Sequence, residues 1–332
     1  MEIKKLTPSE TASLWNSYLT NSMAFWVTQY FITKTQDKEL HGILEYTEEM
    51  SKIEMDKSKA FLEDANHPLP EPFNNTDVDM NAPAICTDNF TIIIKLGLVQ
   101  ASQVVYSMAL NTSVRRDIRE FYLESQKNAS ELYMRLKDLL IKKGLHQPLI
   151  HIPIPDHVEK VSKKNFMAGW FADRRPINAV EISLLEYNFR STEFHKTFLK
   201  IFAQVTPSRK IKDHFARGVE IYQKHQDIFQ SILSENDLPK LPTWESELTD
   251  TTISPFSERL MVFKMALLTA SSSGQYGSSL SSVQRRDLGV HFMRLMGETL
   301  KYGEDIIDLM IDHGYLDQLP MAKEKPTIPA SM

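Results

Sequence analysis

The chain has 332 residues, 42% apolar and 24% charged, with Lys+Arg 38 against Asp+Glu 43 for a formal charge of −5. That is globular composition with length for about two domains, each able to bury a core; it excludes a disordered chain, and the acidic balance offers no basic face for nucleic acid or an anionic membrane. Eleven glycines disfavour a turn-rich all-β fold, and one cysteine, Cys86, excludes an intrachain disulfide or a Cys-based zinc site and points to a reducing, cytoplasmic setting.

The N-terminus carries charges with no apolar run behind them, so no signal peptide is expected. Thr7-Pro8-Ser9-Glu10 is a capping box with proline at the first helical position, and Leu14, Tyr18, Phe25 and Phe31 follow at helical spacing. A second helix is predicted from near Thr35 to before Pro68, with Leu40, Ile43, Leu44, Phe61 and Leu62 facing inward. A connection of about twenty residues follows through Pro70, Pro72 and Pro83, a length that suits a crossover along a bundle joining two parallel helices. A third helix begins near Thr87. It is uncharged from Lys95 to Arg115, about as long as a membrane span, but Gln100, Ser102, Gln103 and Asn111 interrupt it. The expected place is between other helices, with no membrane span. A fourth helix begins around Arg115-Arg116-Asp117 and stops at Gly144, where glycine takes the left-handed cap.

The pattern then repeats. Leu98, Ser102, Tyr106, Leu110 and Arg115-Arg116-Asp117 recur 170 residues later as Leu268, Ser272, Tyr276, Leu280 and Arg285-Arg286-Asp287. Glu10, Leu14, Phe31, Glu49, Leu62 and Pro68 recur 171 residues later as Glu181, Leu185, Phe202, Glu220, Leu233 and Pro239. A collinear run with one register shift is a duplication, the shift falling in the crossover loop. The second unit opens on the Asn178–Glu181 cap; its second helix starts near Thr206-Pro207, its third near Ser257, and its fourth stops at Gly314. The expected fold is all-α: two tandem ferritin-like four-helix bundles with a long crossover in each, over 1–147 and 176–320. Between them, 148–175 is a proline-containing linker whose Phe166–Phe171 segment is apolar enough to dock; 321–332 is a mobile tail.

The tandem unit, the Asn81-Ala82-Pro83 and Ser254-Pro255-Phe256-Ser257 entries to the third helices, the paired Arg-Arg-Asp, and Gly169-Trp170-Phe171-Ala172-Asp173-Arg174-Arg175-Pro176 resemble a duplicated family of unknown function from spore-forming firmicutes. The resemblance covers nearly the whole chain. It implies a ferritin-like fold distantly related to F-type coat proteins, with a spore or spore-coat association, and it brings no catalytic residue.

A di-iron or di-manganese bundle needs Glu-x-x-His on two helices, and none occurs. Asp64-x-x-His67 sits at a helix end, and Glu220 and His225 are about 140° apart around a helix. A non-standard iron or manganese cluster in the second unit would draw on Glu193 or His195, Glu220, His225, His291 and Glu298; the first unit has Glu54, Phe121 and Asn128 where the second has His225, His291 and Glu298. The preferred expectation is no cofactor. Arg115, Arg116, Asp117, Arg285, Arg286 and Asp287 are expected to form structural ion pairs that fix the turn before the fourth helix. Gly274 and Gly277, mid-helix, fit ordinary tight core packing first, and otherwise suggest close helix approach or a polar cavity with Tyr106 and Tyr276 supplying hydroxyls. No nucleophile elbow, Walker loop or dinucleotide fingerprint is present. The expected function is a non-catalytic structural or interaction protein with protein partners or a homo-oligomer; the alternatives are metal or oxidoreductase chemistry in the second unit and small-ligand binding beside the uncharged third helices.

Overall fold

The computed structural model describes residues 5–162, 164–169 and 174–322. Among them are eight long helices: α1 (Pro8–Lys34), α2 (Lys38–Asp64), α3 (Asp88–Thr112), α4 (Arg116–Lys142), α5 (Ala179–Val205), α6 (Arg209–Ser234), α7 (Glu258–Ser282) and α8 (Arg286–Asp312). The bounds of α1 and α2 recur in α5 and α6 at an offset of 171, save that α6 ends one residue earlier, and those of α3 and α4 recur in α7 and α8 at 170, in line with the sequence repeats.

Local chemistry sets the ends. Thr7 and Asn178 close capping boxes with Glu10 and Glu181. Thr87 and Ser257 cap α3 and α7. The second helices start later than expected: Asp37 and Ser208 are their caps, while Thr35 and Thr206 end the preceding helices. Thr35 and Asp37, like Thr206 and Ser208, take extended backbone angles, so the chain turns between them and the caps lie two residues further on. After α2 and α6 the chain turns through Asn66 and Asp237 at φ 55° and 56°, residue types that tolerate the left-handed region. Gly144 and Gly314 do the same after α4 and α8 at 71° and 68°.

In each half α1 pairs with α2 and α3 with α4, and these hairpins pack through α1–α3 and α2–α4; α5 to α8 repeat the arrangement. The Glu10 carboxylate at the start of α1 meets the α3–α4 turn, and Thr35 at its end meets Asp88 at the start of α3. Helix α3 therefore runs antiparallel to α1 and parallel to α2, and residues 65–87 travel the length of the bundle. Helix α3 is long and apolar enough to cross a membrane by composition; here it is packed against α1, α4 and α5.

The halves are not separate bodies. Their two crossover segments pair antiparallel, with bridges Val78–Phe256 and Cys86–Leu248. The Ser257 N–H donates to the Asp77 carbonyl (2.8 Å) and the Thr87 N–H to the Glu247 carbonyl (2.9 Å). Ser257 Oγ donates to Asp77 Oδ1 (2.6 Å), Arg259 binds Asp77 Oδ2 (2.9 Å), and Thr87 Oγ1 donates to Glu247. Each third helix is thus capped by a residue anchored on the other half's crossover. One hydrophobic core runs from the first bundle through Phe194, Phe198, Phe202 and Phe256 into the near part of the second; a smaller core around Phe229, Tyr276 and Phe292 fills its far end.

The linker docks on the second half. Arg175 covers the Phe166 ring at 4.0 Å and donates to the Phe166 carbonyl. Gly169 lies against the start of α8, where a Cβ would come within 2.8 Å of the Asp287 amide nitrogen. Met167 is exposed. Trp170 and Phe171 lie outside the described residues, as does the tail from 323 onward.

Candidate functional site

The Arg-Arg-Asp motifs are turn fixtures, with one residue in each cast differently. Arg115 and Asp117 form a two-bond fork at 2.6 and 3.1 Å, and Arg285 and Asp287 repeat it at 2.5 and 3.1 Å, buried. Arg116 instead points out to Glu120 one turn on, and Arg286 is exposed, so neither fixes the turn. The residue that does is the capping glutamate. Glu10 Oε2 accepts the Thr7 N–H (2.8 Å), while Oε1 reaches across the bundle to accept the Val114 and Arg115 N–H groups (2.8 and 2.7 Å). Glu181 does the same for Asn178, Gln284 and Arg285, with Arg175 in a bidentate pair at 2.7 and 2.9 Å. Desolvation pushes Glu181 up, but Arg175 and the backbone donors outweigh it and hold the carboxyl below its ordinary range.

The proposed metal ligands do not converge. His225 and Glu298 meet at 3.3 Å, but the other His225 nitrogen faces the Tyr276 hydroxyl at 3.1 Å and Glu298 is also held by Lys224. His195 is buried against Ser272 Oγ at 2.7 Å. Glu193 binds Lys196, Gln226 and the Trp244 N–H. Glu220 is exposed and His291 half-buried, each on a different face from the pair. Among the described residues no three His, Cys, Asp or Glu side chains are placed to hold a metal ion. The Glu220–His225 spacing already argued against a shared face, and the facing directions of the other residues complete the disagreement.

The place where these residues gather has a counterpart in the first half, and the two differ. In the second bundle His195, Tyr222, His225, Tyr276 and Tyr302 fill the space between the helices, with Tyr302 stacked on His214 at 4.4 Å. Gly218 is glycine because Tyr302 lies there: a Cβ would sit 2.3 Å from its hydroxyl oxygen. The corresponding first-half residues are Ala24, Ser51, Glu54, Tyr106 and Leu132, with Thr47 in place of Gly218. With less volume, they leave a chamber of about 80 Å³. Buried Glu54 accepts a hydrogen bond from Tyr106 at one end; burial raises the carboxyl's pKa despite that bond. Buried Lys95 donates to Thr28 Oγ1 at 2.5 Å. Asn21, also buried on the wall, lies beside the Glu54 carboxylate and the Tyr106 hydroxyl. The tyrosine-lined polar cavity is therefore present beside Tyr106 and closed beside Tyr276.

A larger cavity, about 300 Å³, lies between the two halves and is lined by α3, α4, α5 and α7. Ile93, Leu96, Phe194, Leu268 and Trp244 make it apolar, and Gln100, Ser191, Ser271 and Gln275 add polar groups. Lys137, His146, Glu186 and Arg190 stand on its wall. Arg190 and Glu186 pair at 2.9 Å, and Arg190 also donates to the His146 carbonyl. The Lys137 ammonium lies 3.2 Å from the His146 ring. Desolvation, then Lys137 and Arg190, lower the His146 pKa and keep the ring neutral. Glycine does its work elsewhere than expected: Gly274 has open space and Gly277 only Met296 at 3.5 Å, while Gly97 lets α3 meet Phe194 of α5, where a Cβ would fall 2.9 Å from the ring. Both uncharged third helices line this cavity. Its charged residues carried no sequence signal, because the cavity forms only when unlike faces of the two units meet.

No curated protein matches the chain. Among solved structures it is similar to a protein called a putative spore coat protein (BH2358) from Bacillus halodurans C-125, at 19% identity and a TM-score of 0.38, over 47% of this chain and 97% of that one. The family described as "Protein of unknown function (DUF3231)" matches twice, over residues 2–153 and 165–328, the two structural repeats. The chain belongs to that family as a tandem pair of its units.

Proposed function

We propose that this protein is a non-catalytic binding protein that holds a small amphipathic carboxylate in the cavity between its two halves. The observation that carries the reading is the cavity itself: about 300 Å³, with apolar and polar lining, and with Lys137 on its wall facing a neutral imidazole while Glu186 is committed to Arg190. Binding pockets favour such junctions, and an ammonium with no ion pair to a carboxylate among the described residues suits an acidic headgroup.

Octanoate is the probe. It should raise the melting temperature of the full chain with dose; a ligand at a hundredfold excess over Kd stabilises by about 2.7 kcal/mol. Ser271→Phe, which places a ring in the cavity, should abolish the shift, and Lys137→Met should weaken it. No shift, or the same shift in the filled variant, rejects the reading.

A further inference from the structure

The uncharged stretch of α3 between Lys95 and Arg115 reaches the surface over its later turns, where it lines an open groove of about 810 Å³. Tyr133 of α4 and Tyr187 of α5 line it too, and with Gln100 they also line the cavity between the halves, so the two spaces adjoin. Their chemistry differs. The cavity has Lys137, Glu186 and Arg190 on its wall, whereas none of the nine groove residues is charged, in a chain whose charged residues make up 24%.

The lining narrows the guest. Gln100, Gln103 and Asn111 bring side-chain amides and Ser107 a hydroxyl, groups that both donate and accept. Among the described residues the Gln100, Ser107 and Asn111 side chains make no hydrogen bond within the chain. Val104 and Met108 stand among them, 63% and 65% exposed. Tyr133 and Tyr187 lie near each other and add aromatic surface. An anion would find no cation here, and an alkyl chain would strand the amides and hydroxyls away from water. A neutral sugar chain suits every part. Its hydroxyls pair with amides, its C–H faces pack on aromatic rings, and an acetamido group brings an amide for Gln103 and Asn111 and a methyl for Val104 and Met108. From Gln100 to Thr112 the helix rises about 18 Å, roughly the length of three or four linked pyranose rings.

We propose that this groove binds a neutral oligosaccharide of N-acetylated amino sugars, laid along α3 beside Tyr133 and Tyr187. It is a second site and does not rest on the carboxylate reading of the cavity. The other half of the duplication has no counterpart. At the matching positions Gly274 stands for Val104, Gly277 for Ser107, Gly303 for Tyr133 and Asn16 for Tyr187, so both rings and an exposed apolar contact are gone from the same frame.

Titration calorimetry of the full chain with tetra-N-acetylchitotetraose is the test. One saturable site is expected, with an affinity that added salt leaves unchanged, since no charge takes part. Maltotetraose, which lacks the acetamido groups, should bind about tenfold more weakly or less. Tyr187→Asn, which installs the other half's residue, and Met108→Glu, at an exposed position, should each weaken the chitotetraose by about tenfold with helicity unchanged. Ser271→Phe fills the neighbouring cavity and should leave the sugar bound as before, so failure of the octanoate reading and failure of this one are told apart. Absence of binding, equal binding of maltotetraose, undiminished binding in both groove variants, or loss of the sugar in Ser271→Phe would each overturn the proposal. So would a sugar-free dimer in sedimentation velocity that Met108→Glu disperses, which would give this face to a second copy of the chain.

Discussion

Replacing Glu181 with alanine tests the claim that the capping glutamates, rather than the Arg-Asp forks alone, lock α5 to the α7–α8 turn. Glu181 is fully buried and accepts from Asn178, Gln284 and Arg285 N–H groups at 3.0, 3.3 and 3.0 Å, besides the Arg175 fork. Removing one partner of a buried ion pair costs about 3–5 kcal/mol, because the other charge and its donors are left unpaired. Arg175 retains 17% exposure, so water recovers part of its charge and the lower end, about 3 kcal/mol, applies. Glu10→Ala strips only hydroxyl and backbone donors and should cost about 1 kcal/mol less. Urea unfolding of the full chain measures both. The folded pKa of Glu181 is depressed, so its contribution is complete above the ordinary value of 4.5 and is lost as pH falls through the folded value; Glu181→Ala should flatten the acid limb of the stability curve. A loss under 1 kcal/mol, or a larger loss for Glu10→Ala, would refute the staple.

Gly218→Ala sets a methyl against Tyr302 and should destabilise by about 1–3 kcal/mol, whereas Gly274→Ala, in open space, should be neutral or slightly stabilising; thermal melts of the pair separate them. Lys95 and Lys264 are both held near 7 by burial, so the unfolded chain binds more protons between about 7 and 10 and stability should rise with pH there, by up to about 1.4 kcal/mol per pH unit for each. Lys264→Met should remove one share of that slope in pH-dependent denaturation; an unchanged slope means the amine reaches water. Gly97→Leu should wedge α3 from Phe194 and lower both the melting temperature and the octanoate response.

Much of the architecture is legible because each helix declares its own ends. Capping boxes, the prolines of the crossovers and Gly144 and Gly314 act within a few residues of where they stand. Matching Leu98 to Leu268 and Glu10 to Glu181 also predicts the register shift, which falls in the crossovers where α2 and α6 hand over to α3 and α7. What the sequence hides is set by facing direction and by packing between distant segments. His195, His225 and Glu298 are rightly placed on neighbouring helices, yet hydroxyls of Ser272 and Tyr276 take their nitrogens. The chamber could have been found by comparing volumes position by position, Ala24 against His195 and Leu132 against Tyr302. The pairing of Asp77 with Ser257 and Arg259 has no local signature at all, since its partners are 180 and 182 residues away.

That exchanged capping gives the duplication its meaning. Two unlinked copies of one unit, joined through crossovers that cap each other's third helix, would be a twofold dimer bound to carry identical side chains in both bundles. A change that closed one chamber would close the other. Covalent fusion lifts that restriction while keeping the mutual capping intact, so one bundle can become a solid, aromatic buttress and its sibling can stay hollow. The tandem chain is then an asymmetric body on a symmetric frame, in which Tyr222 and Tyr302 fill one side while Ala24 and Leu132 leave the other side hollow.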